Sequence, residues 1–370
     1  MSVLSSADLD SRTRETLDRY GFDEERFELL RARVADGSLS PATNVVRGRL
    51  EPPSDDDLVS LPDRADDEEP RAAGTAALRA GEVALVVLNG GMATRFGGVV
   101  KGTVEVLDGR SFLELKLASA AEVGEALGAP VPAAVMTSFA TDTATREFVA
   151  ARGLPEPLYF SQYVSLRLER DGDLFRGADG RPSLYAPGHG DFLDAFRRSG
   201  ALARLRDRGV RHVVVSNVDN LGARLDPAVL GMHLLGGRPV TTEVAPKDGD
   251  MGGAPARVDG RLMLLEAPRF PPEFDHERIP VFNVNTLTVD LDVLDRDYEL
   301  TWLYVEKEVE GRRAVQLEHL FHELSAFVPT TYLVVPRSGP RGRFFPVKTP
   351  GDLEAARDDL RELLASSPLD

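Results

Sequence analysis

Six consecutive apolar residues, Val83-Ala84-Leu85-Val86-Val87-Leu88, lead straight into Asn89-Gly90-Gly91. An apolar run of this length bounded by glycines predicts a strand covered on both faces, as in a parallel sheet. The signature returns at Val213-Val214-Val215-Ser216-Asn217 and, in shorter form, near 131–137 and 158–160. Between these runs the pattern predicts helices over 111–127, 141–152, 192–208 and 226–235. Strands and helices alternating at this interval imply a doubly wound α/β sheet. Past residue 238 strands dominate: 240–244, then 256–264 turning back at Asp259-Gly260, a hairpin signal. Strand 281–291, two helices and strands at 332–335 and 344–347 follow, and a final helix runs from Pro350 to about Leu364. At the other end, Leu9, Leu17, Phe22, Phe27, Leu30 and Val34 give one or two amphipathic faces over 7–35. The stretch 50–74, rich in Asp, Glu and Pro, reads as a surface connection.

Composition narrows the classes. A chain of 370 residues with 42% apolar and 28% charged positions is an ordinary globular protein with a large core. No apolar run approaches the length of a membrane span, and Met1 to Ser6 lacks a basic region followed by an apolar core. Without cysteine there is no disulfide framework and no thiolate metal site, which suits a cytoplasmic enzyme. A net charge of −16 argues against a nucleic-acid partner. A free nucleotide stays possible, because local lysines and backbone dipoles bind it within an acidic protein.

Five segments carry candidate chemistry. After the strand at 83–88, the glycines of the 89–101 loop allow several N–H groups to approach one ligand, and Lys101 follows. Clustered N–H groups with a lysine suit a polyphosphate, although the loop matches neither G-x-x-x-x-G-K-[ST] nor G-x-G-x-x-G. Pro187-Gly188-His189-Gly190-Asp191 permits close approach to a flat ring, or is a turn capped by Asp191. Asn217-Val218-Asp219-Asn220-Leu221 places Asp219 just past a buried strand, where it suits Mg²⁺ at a phosphate or simply a polar turn. Asn283 and Asn285 lie in an apolar strand and need partners, either sugar hydroxyls or neighbouring backbone. Lys348 ends the run Arg343-Phe344-Phe345-Pro346-Val347, pointing into a cleft or into solvent.

Together and in this order, the five segments resemble the UDP-sugar pyrophosphorylases of eukaryotic type, enzymes like UTP–glucose-1-phosphate uridylyltransferase. The family's L-N-G-G-L-G-T-x-M-G-x-x-x-P-K is matched by Leu88 to Lys101, and its P-P-G-H-G-D by Ala186 to Asp191. Its N-x-D-N-L falls on Asn217 to Leu221, F-N-T-N-N on Phe282 to Thr286, and R-F-L-P-V-K on Arg343 to Lys348. The chain departs in having Val100 before the lysine, a loop one residue shorter and Thr286 in place of an asparagine.

The resemblance implies a Rossmann-like nucleotidyltransferase core, similar to glycosyltransferase A, with a mixed sheet and a helical N-terminal extension. With the sequence ending soon after Lys348, the resemblance implies a member lacking the C-terminal β-helix domain of larger ones. An extension and acidic linker would occupy 1–74 and the catalytic domain 75–370. Within that domain, 81–237 would bind nucleotide, 238–340 sugar, and the Lys348 loop and last helix would close it.

The implied reaction makes a UDP-sugar, UDP-glucose foremost, and pyrophosphate from UTP and a sugar-1-phosphate with Mg²⁺. Leu88, Asn89, Gly90, Gly91, Asn217 and His189 would lie at the nucleotide, with Gln162 and Gly188 on the uracil edge. Lys101 would meet the triphosphate, Asp219 would ligate Mg²⁺, and Lys348 would contact the transferred phosphate. Gly253, Glu266, Asn283 and Asn285 would line the sugar pocket, with Lys247 at its edge; His319 and His322, expected on a helix, receive no role. Competing readings keep the chemistry with another nucleotide or a cyclitol phosphate, or change it to a glycosyltransferase or a non-catalytic sensor. Lys101 disfavours the glycosyltransferase, and retention of both lysines and Asp219 disfavours the sensor.

Overall fold

The apolar runs become strands of one eight-stranded sheet, that at 158–160 on its edge and the others inside. The computed structural model describes residues 9–93, 98–250, 252–345, 347, 349–367 and 369. The sheet comprises β1 (Leu58–Ser60), β2 (Val83–Leu88), β3 (Ala133–Thr137), β4 (Leu158–Ser161), β5 (His212–Asn217), β6 (Val240–Pro246), β7 (Val281–Asp290) and β8 (Thr330–Val334). Their order is β1-β8-β6-β7-β5-β2-β3-β4. β7 runs antiparallel to β5 and β6, and the other neighbouring pairs are parallel. The mixed, doubly wound α/β sheet expected from the sequence is therefore present.

Alternation along β2 shows why its run is unbroken. Ala84, Val86 and Leu88 join a core with Phe192, Phe196, Leu202 and Leu205 on one side. Val83, Leu85 and Val87 join Phe112, Leu113, Leu230 and Leu360 on the other. Successive side chains on a strand point oppositely, so covering both faces requires every position to be apolar. Truncating Leu85 to alanine costs about 2–5 kcal/mol.

The helices used below are α1 (Ser11–Arg19), α2 (Glu24–Ala35), α3 (Glu68–Arg79), α4 (Phe112–Leu127), α5 (Asp142–Ala151), α6 (Phe192–Arg198), α7 (Ala201–Asp207), α8 (Pro227–Gly236), α9 (Pro350–Ala355) and α10 (Arg357–Ala365). Local chemistry sets their ends. A capping box of Ser111 and Glu114 starts α4, and left-handed Gly128 stops it. Asp226 caps α8, whose first residue is Pro227. No helix among the described residues is long and apolar enough to cross a membrane.

Several expectations are corrected. The helical stretch expected over 7–35 is present as two helices, parted where Gly21 turns at φ 69° and Asp23 caps α2. That over 192–208 breaks at Gly200, φ 78°. Residues 50–74 are no simple linker: β1 pairs with β8, and α3 spans the boundary expected at 74. Helix α3 packs so closely on α8 that a Cβ added at Gly231 would lie 1.7 Å from the Pro70 carbonyl oxygen. Where helices were expected after β7, residues 303–309 and 312–318 form a hairpin, with only 3₁₀ turns beside it. Phe344 and Phe345 lie outside any strand. The hairpin at Asp259-Gly260 forms as expected.

Candidate functional site

β2 and β5 lie side by side, Leu88 opposite Asn217. After β2 the chain proceeds to β3 on one flank, whereas β5 pairs with β7 on the other. Outgoing loops that diverge in this way open a crevice at the carboxyl edge of the sheet, where ligands bind in α/β folds. Lys101 and Asp219, one from each loop, form an ion pair there, with both side chains about one-fifth exposed.

The 89–101 loop is held from beneath. Asn89 has no exposed surface; its amide donates to Thr145 Oγ1 (3.0 Å) and accepts from the Gly102 N–H (3.1 Å). A Cβ on Gly102 would stand 2.5 Å from Asn89 Oδ1, so glycine permits this approach. Asn89, expected at the nucleotide, supports the loop from within. Leu88 is buried at the strand end, where its carbonyl accepts from the Val218 N–H and joins the two loops (3.1 Å). Gly90 abuts Gln162, because an added Cβ would fall 1.9 Å from Gln162 Oε1. Gly91 is exposed, with open space where a Cβ would be. Residues 94–97 of this loop, and Lys348, lie outside the described residues.

The 186–191 segment wraps the backbone of His319. Gly190 N–H donates to the His319 carbonyl (2.9 Å), and His319 N–H to that of Pro187 (2.9 Å). A Cβ at either Gly188 or Gly190 would come within 2.7 Å of His319. Buried Asp191 does not act as the expected helix cap; it accepts from Tyr163 N–H (2.9 Å) and pairs with His319 Nε2 (2.6 Å). Trp302 stacks on the His319 ring at 4.2 Å. Burial, reinforced by the neighbouring His322 and His319, holds His189 well below the ordinary imidazole range, so it is neutral at pH 7. Its Nδ1 accepts from Phe321 N–H (3.0 Å), which leaves Nε2–H as its donor.

Glu266 meets Gly253: a Cβ there would lie 3.0 Å from Glu266 Oε2. Asn283 N–H donates to the Gly253 carbonyl (2.8 Å). The two strand asparagines satisfy each other, Asn283 Nδ2 donating to Asn285 Oδ1 (2.7 Å) and Asn285 N–H to Asn283 Oδ1 (3.0 Å). This pairing coincides with a left-handed Asn285, φ 58°. Lys247 donates to the His276 carbonyl (2.6 Å), and burial lowers its pKa. Asn217 closes β5, its carbonyl accepting from Asn220 N–H (3.3 Å).

Three features escaped the sequence reading. Lys116 of α4 is buried, donating to Ser216 Oγ (3.0 Å) and the Ala223 carbonyl (2.7 Å), on either side of the Asp219 turn. Its signal was a lone lysine within the apolar run Phe112 to Leu117. Arg343 and Glu243 form a buried bidentate pair (2.8 and 2.6 Å), while Asn220 binds the Arg343 carbonyl and Phe345 N–H (3.0 and 2.9 Å). A carboxylate inside the apolar strand 240–245 was the clue. His322, 2% exposed, lies 4.8 Å from the His189 ring and 3.4 Å from Glu266 Oε1, and neither ring nitrogen has a hydrogen-bond partner among the described residues. No sequence signal separated it from any other histidine. A cleft of about 700 Å³ lies away from all of these, and its Arg12, Arg19 and Arg181 are offset by Glu15, Asp179 and Glu310.

Comparison with known proteins agrees with the fold. The sequence pattern of the family described as UTP–glucose-1-phosphate uridylyltransferase matches residues 25–367. The chain is 33% identical over 300 residues to UTP–glucose-1-phosphate uridylyltransferase of Solanum tuberosum, covering 76% of this chain and 62% of that protein. With the Hordeum vulgare protein of that name it shares 30% over 341 residues, 87% of this chain and 71% of the other. It thus spans just under two thirds of the length of several such relatives. Among solved structures, UDP-glucose phosphorylase of Trypanosoma brucei superposes with a TM-score of 0.76 at 25% identity, covering 92% of this chain and 76% of that one. UDP-glucose pyrophosphorylase of Leishmania major (V402W mutant) gives 0.75 at 25% identity, covering 95% and 82%.

Proposed function

Because the chain belongs to the UTP–glucose-1-phosphate uridylyltransferase family, we propose that it joins UTP and a sugar-1-phosphate, glucose-1-phosphate foremost, into a UDP-sugar and pyrophosphate. The observation that carries this reading is the meeting of Lys101 and Asp219 across the crevice between β2 and β5.

A phosphate oxygen of the sugar-1-phosphate attacks the α-phosphorus of the nucleotide. The bond from that phosphorus to the bridging oxygen breaks, and pyrophosphate departs with the electron pair. Such transfers need positioning and charge neutralisation rather than a protein nucleophile. Lys101 leaves Asp219 to meet the phosphates, neutralising charge on the departing group. Neutral His189 offers Nε2–H to a phosphate oxygen, and Gln162, against Gly90, reads the base. Gly253 and Glu266, with the Asn283–Asn285 pair behind them, orient the sugar. Lys348 draws the two anions together.

Mg²⁺ suits the donor set, since an accessible carboxylate beside phosphate oxygens is what a hard cation takes. Asp219 would hold it, and when bound the ion supplies charge neutralisation at the phosphates. The test is pyrophosphate release by the purified chain across five nucleoside triphosphates and glucose-, galactose-, N-acetylglucosamine- and cyclitol-1-phosphates. Release with UTP and one hexose phosphate supports the reading. Release with another pair overturns the base or sugar assignment, and silence from the folded protein sinks the activity.

A further inference from the structure

A second cluster of ionisable groups lies at the opposite end of the sheet. His212 opens β5 and Asp290 closes β7, and they are direct cross-strand partners. His233, from α8, reaches the same carboxylate. Asp290 Oδ1 stands 2.7 Å from His212 Nδ1 and 3.0 Å from His233 Nε2. The two rings are nearly perpendicular, 5.4 Å apart, and one ligand atom from each residue lies within 4.8 Å of the others. Asn217 ends the strand that His212 begins, so at a rise of about 3.3 Å per residue the cluster is far from the catalytic crevice.

We propose that His212, His233 and Asp290 form a binding site for a divalent transition-metal ion of the zinc type. Two imidazole nitrogens and one carboxylate oxygen, with a position left for water, are a donor set that such ions take. Bonds of 2.0–2.2 Å in tetrahedral geometry separate donors by about 3.3 Å. The two distances to Oδ1 therefore need to open by about 0.3–0.6 Å, while the two imidazole nitrogens, within 4.8 Å of each other, need to close around the ion. The scaffold is already fixed: Asp290 N–H donates to the Pro239 carbonyl (2.9 Å) and Leu291 N–H to that of Arg211 (2.7 Å). His233 Nδ1 lies 3.0 Å from Thr241 Oγ1, the outer hydrogen bond that orients a ligating imidazole and leaves Nε2 for the metal. His233 is 2% exposed, whereas Asp290 is 37% exposed, which gives the ion a way in. A hard ion such as Mg²⁺ prefers an oxygen-only set, so the site discriminates against the ion proposed at Asp219. The ion would tie α8 to β5 and β7 and stabilise the fold, with no part in the chemistry.

The test titrates the full chain, stripped of metal by a chelator, with Zn²⁺ in excess Mg²⁺ by calorimetry, alongside thermal unfolding. One zinc per chain with micromolar or tighter affinity, proton release and a raised Tm is expected. Asp290→Asn and His212→Gln should each weaken binding by roughly 10–100-fold or more, and Asp219→Asn should leave it unchanged. Co²⁺ should give a visible absorption band that His212→Gln abolishes, and this variant serves if a change at the more buried His233 prevents folding. Absence of zinc binding by the native chain overturns the proposal. So does binding that survives in both ligand variants, or that disappears with Asp219→Asn.

Discussion

Lys116→Met removes a charge while keeping a straight side chain of similar length. In the fold, burial first and the nearby Arg343 second lower the Lys116 ammonium from 10.5 to about 7, with Asp219 and Glu243 acting the other way. The unfolded chain restores the ordinary value. Between pH 10.5 and 7 the unfolded state therefore holds a proton that the folded state lacks, so this group makes stability fall as pH falls. Below about pH 7 both states are protonated and the penalty levels off. At about 1.36 kcal/mol per pH unit, the whole shift amounts to roughly 5 kcal/mol, of which roughly 2–3 kcal/mol accrues between pH 9 and 6. Methionine at 116 removes that slope and also the hydrogen bonds to Ser216 and Ala223, which adds a constant offset. Urea unfolding of both proteins at pH 6, 7, 8 and 9 separates slope from offset. Relative to wild type, the variant should gain about 2–3 kcal/mol on going from pH 9 to 6. A stability difference flat to within about 0.5 kcal/mol over this range would refute the reasoning. Because Ser216 and Ala223 bracket the Asp219 turn, the same proton bears on the site.

Lys101→Ala should lower turnover by roughly 10²–10³-fold with Tm little changed, measured by pyrophosphate release; near-full activity would remove Lys101 from the mechanism. His322→Phe should raise the KM for sugar-1-phosphate more than that for UTP, since His322 lies against Glu266 Oε1, and His322→Gln should partly restore it. Equal effects on both KM values would point to a purely structural role. Glu243→Leu should destabilise the fold by about 3–5 kcal/mol by stranding buried Arg343. Adding Arg343→Leu should recover much of that loss in denaturant unfolding; no recovery would show that the charge was not the cause.

What the sequence determined by itself was local. The runs at 83–88 and 213–215 announce central strands, because successive positions of a strand covered on both faces are apolar except where a buried polar side chain finds a partner, as Ser216 and Glu243 do. Asp259-Gly260 names its hairpin, since both residues must take positive φ. The motifs at 88–101 and 217–221 likewise marked the two loops from which Lys101 and Asp219 meet. Packing decided the rest. The Asp- and Glu-rich start of α3 resembles a linker until Pro70, Gly74, Ala77 and Leu78 find a partner surface in and around α8. Phe344 and Phe345 look like a strand, yet the side-chain amide of Asn220 takes up the neighbouring backbone. His319 and His322 acquire their roles only when a hairpin, where helices were expected, brings them against Asp191, His189 and Glu266. Lys101 and Asp219 lie 118 positions apart in the chain, and their ion pair exists because parallel pairing sets the ends of β2 and β5 side by side. Periodicity reports which faces a segment must bury; which groups face one another across the gap is a property of the assembled sheet.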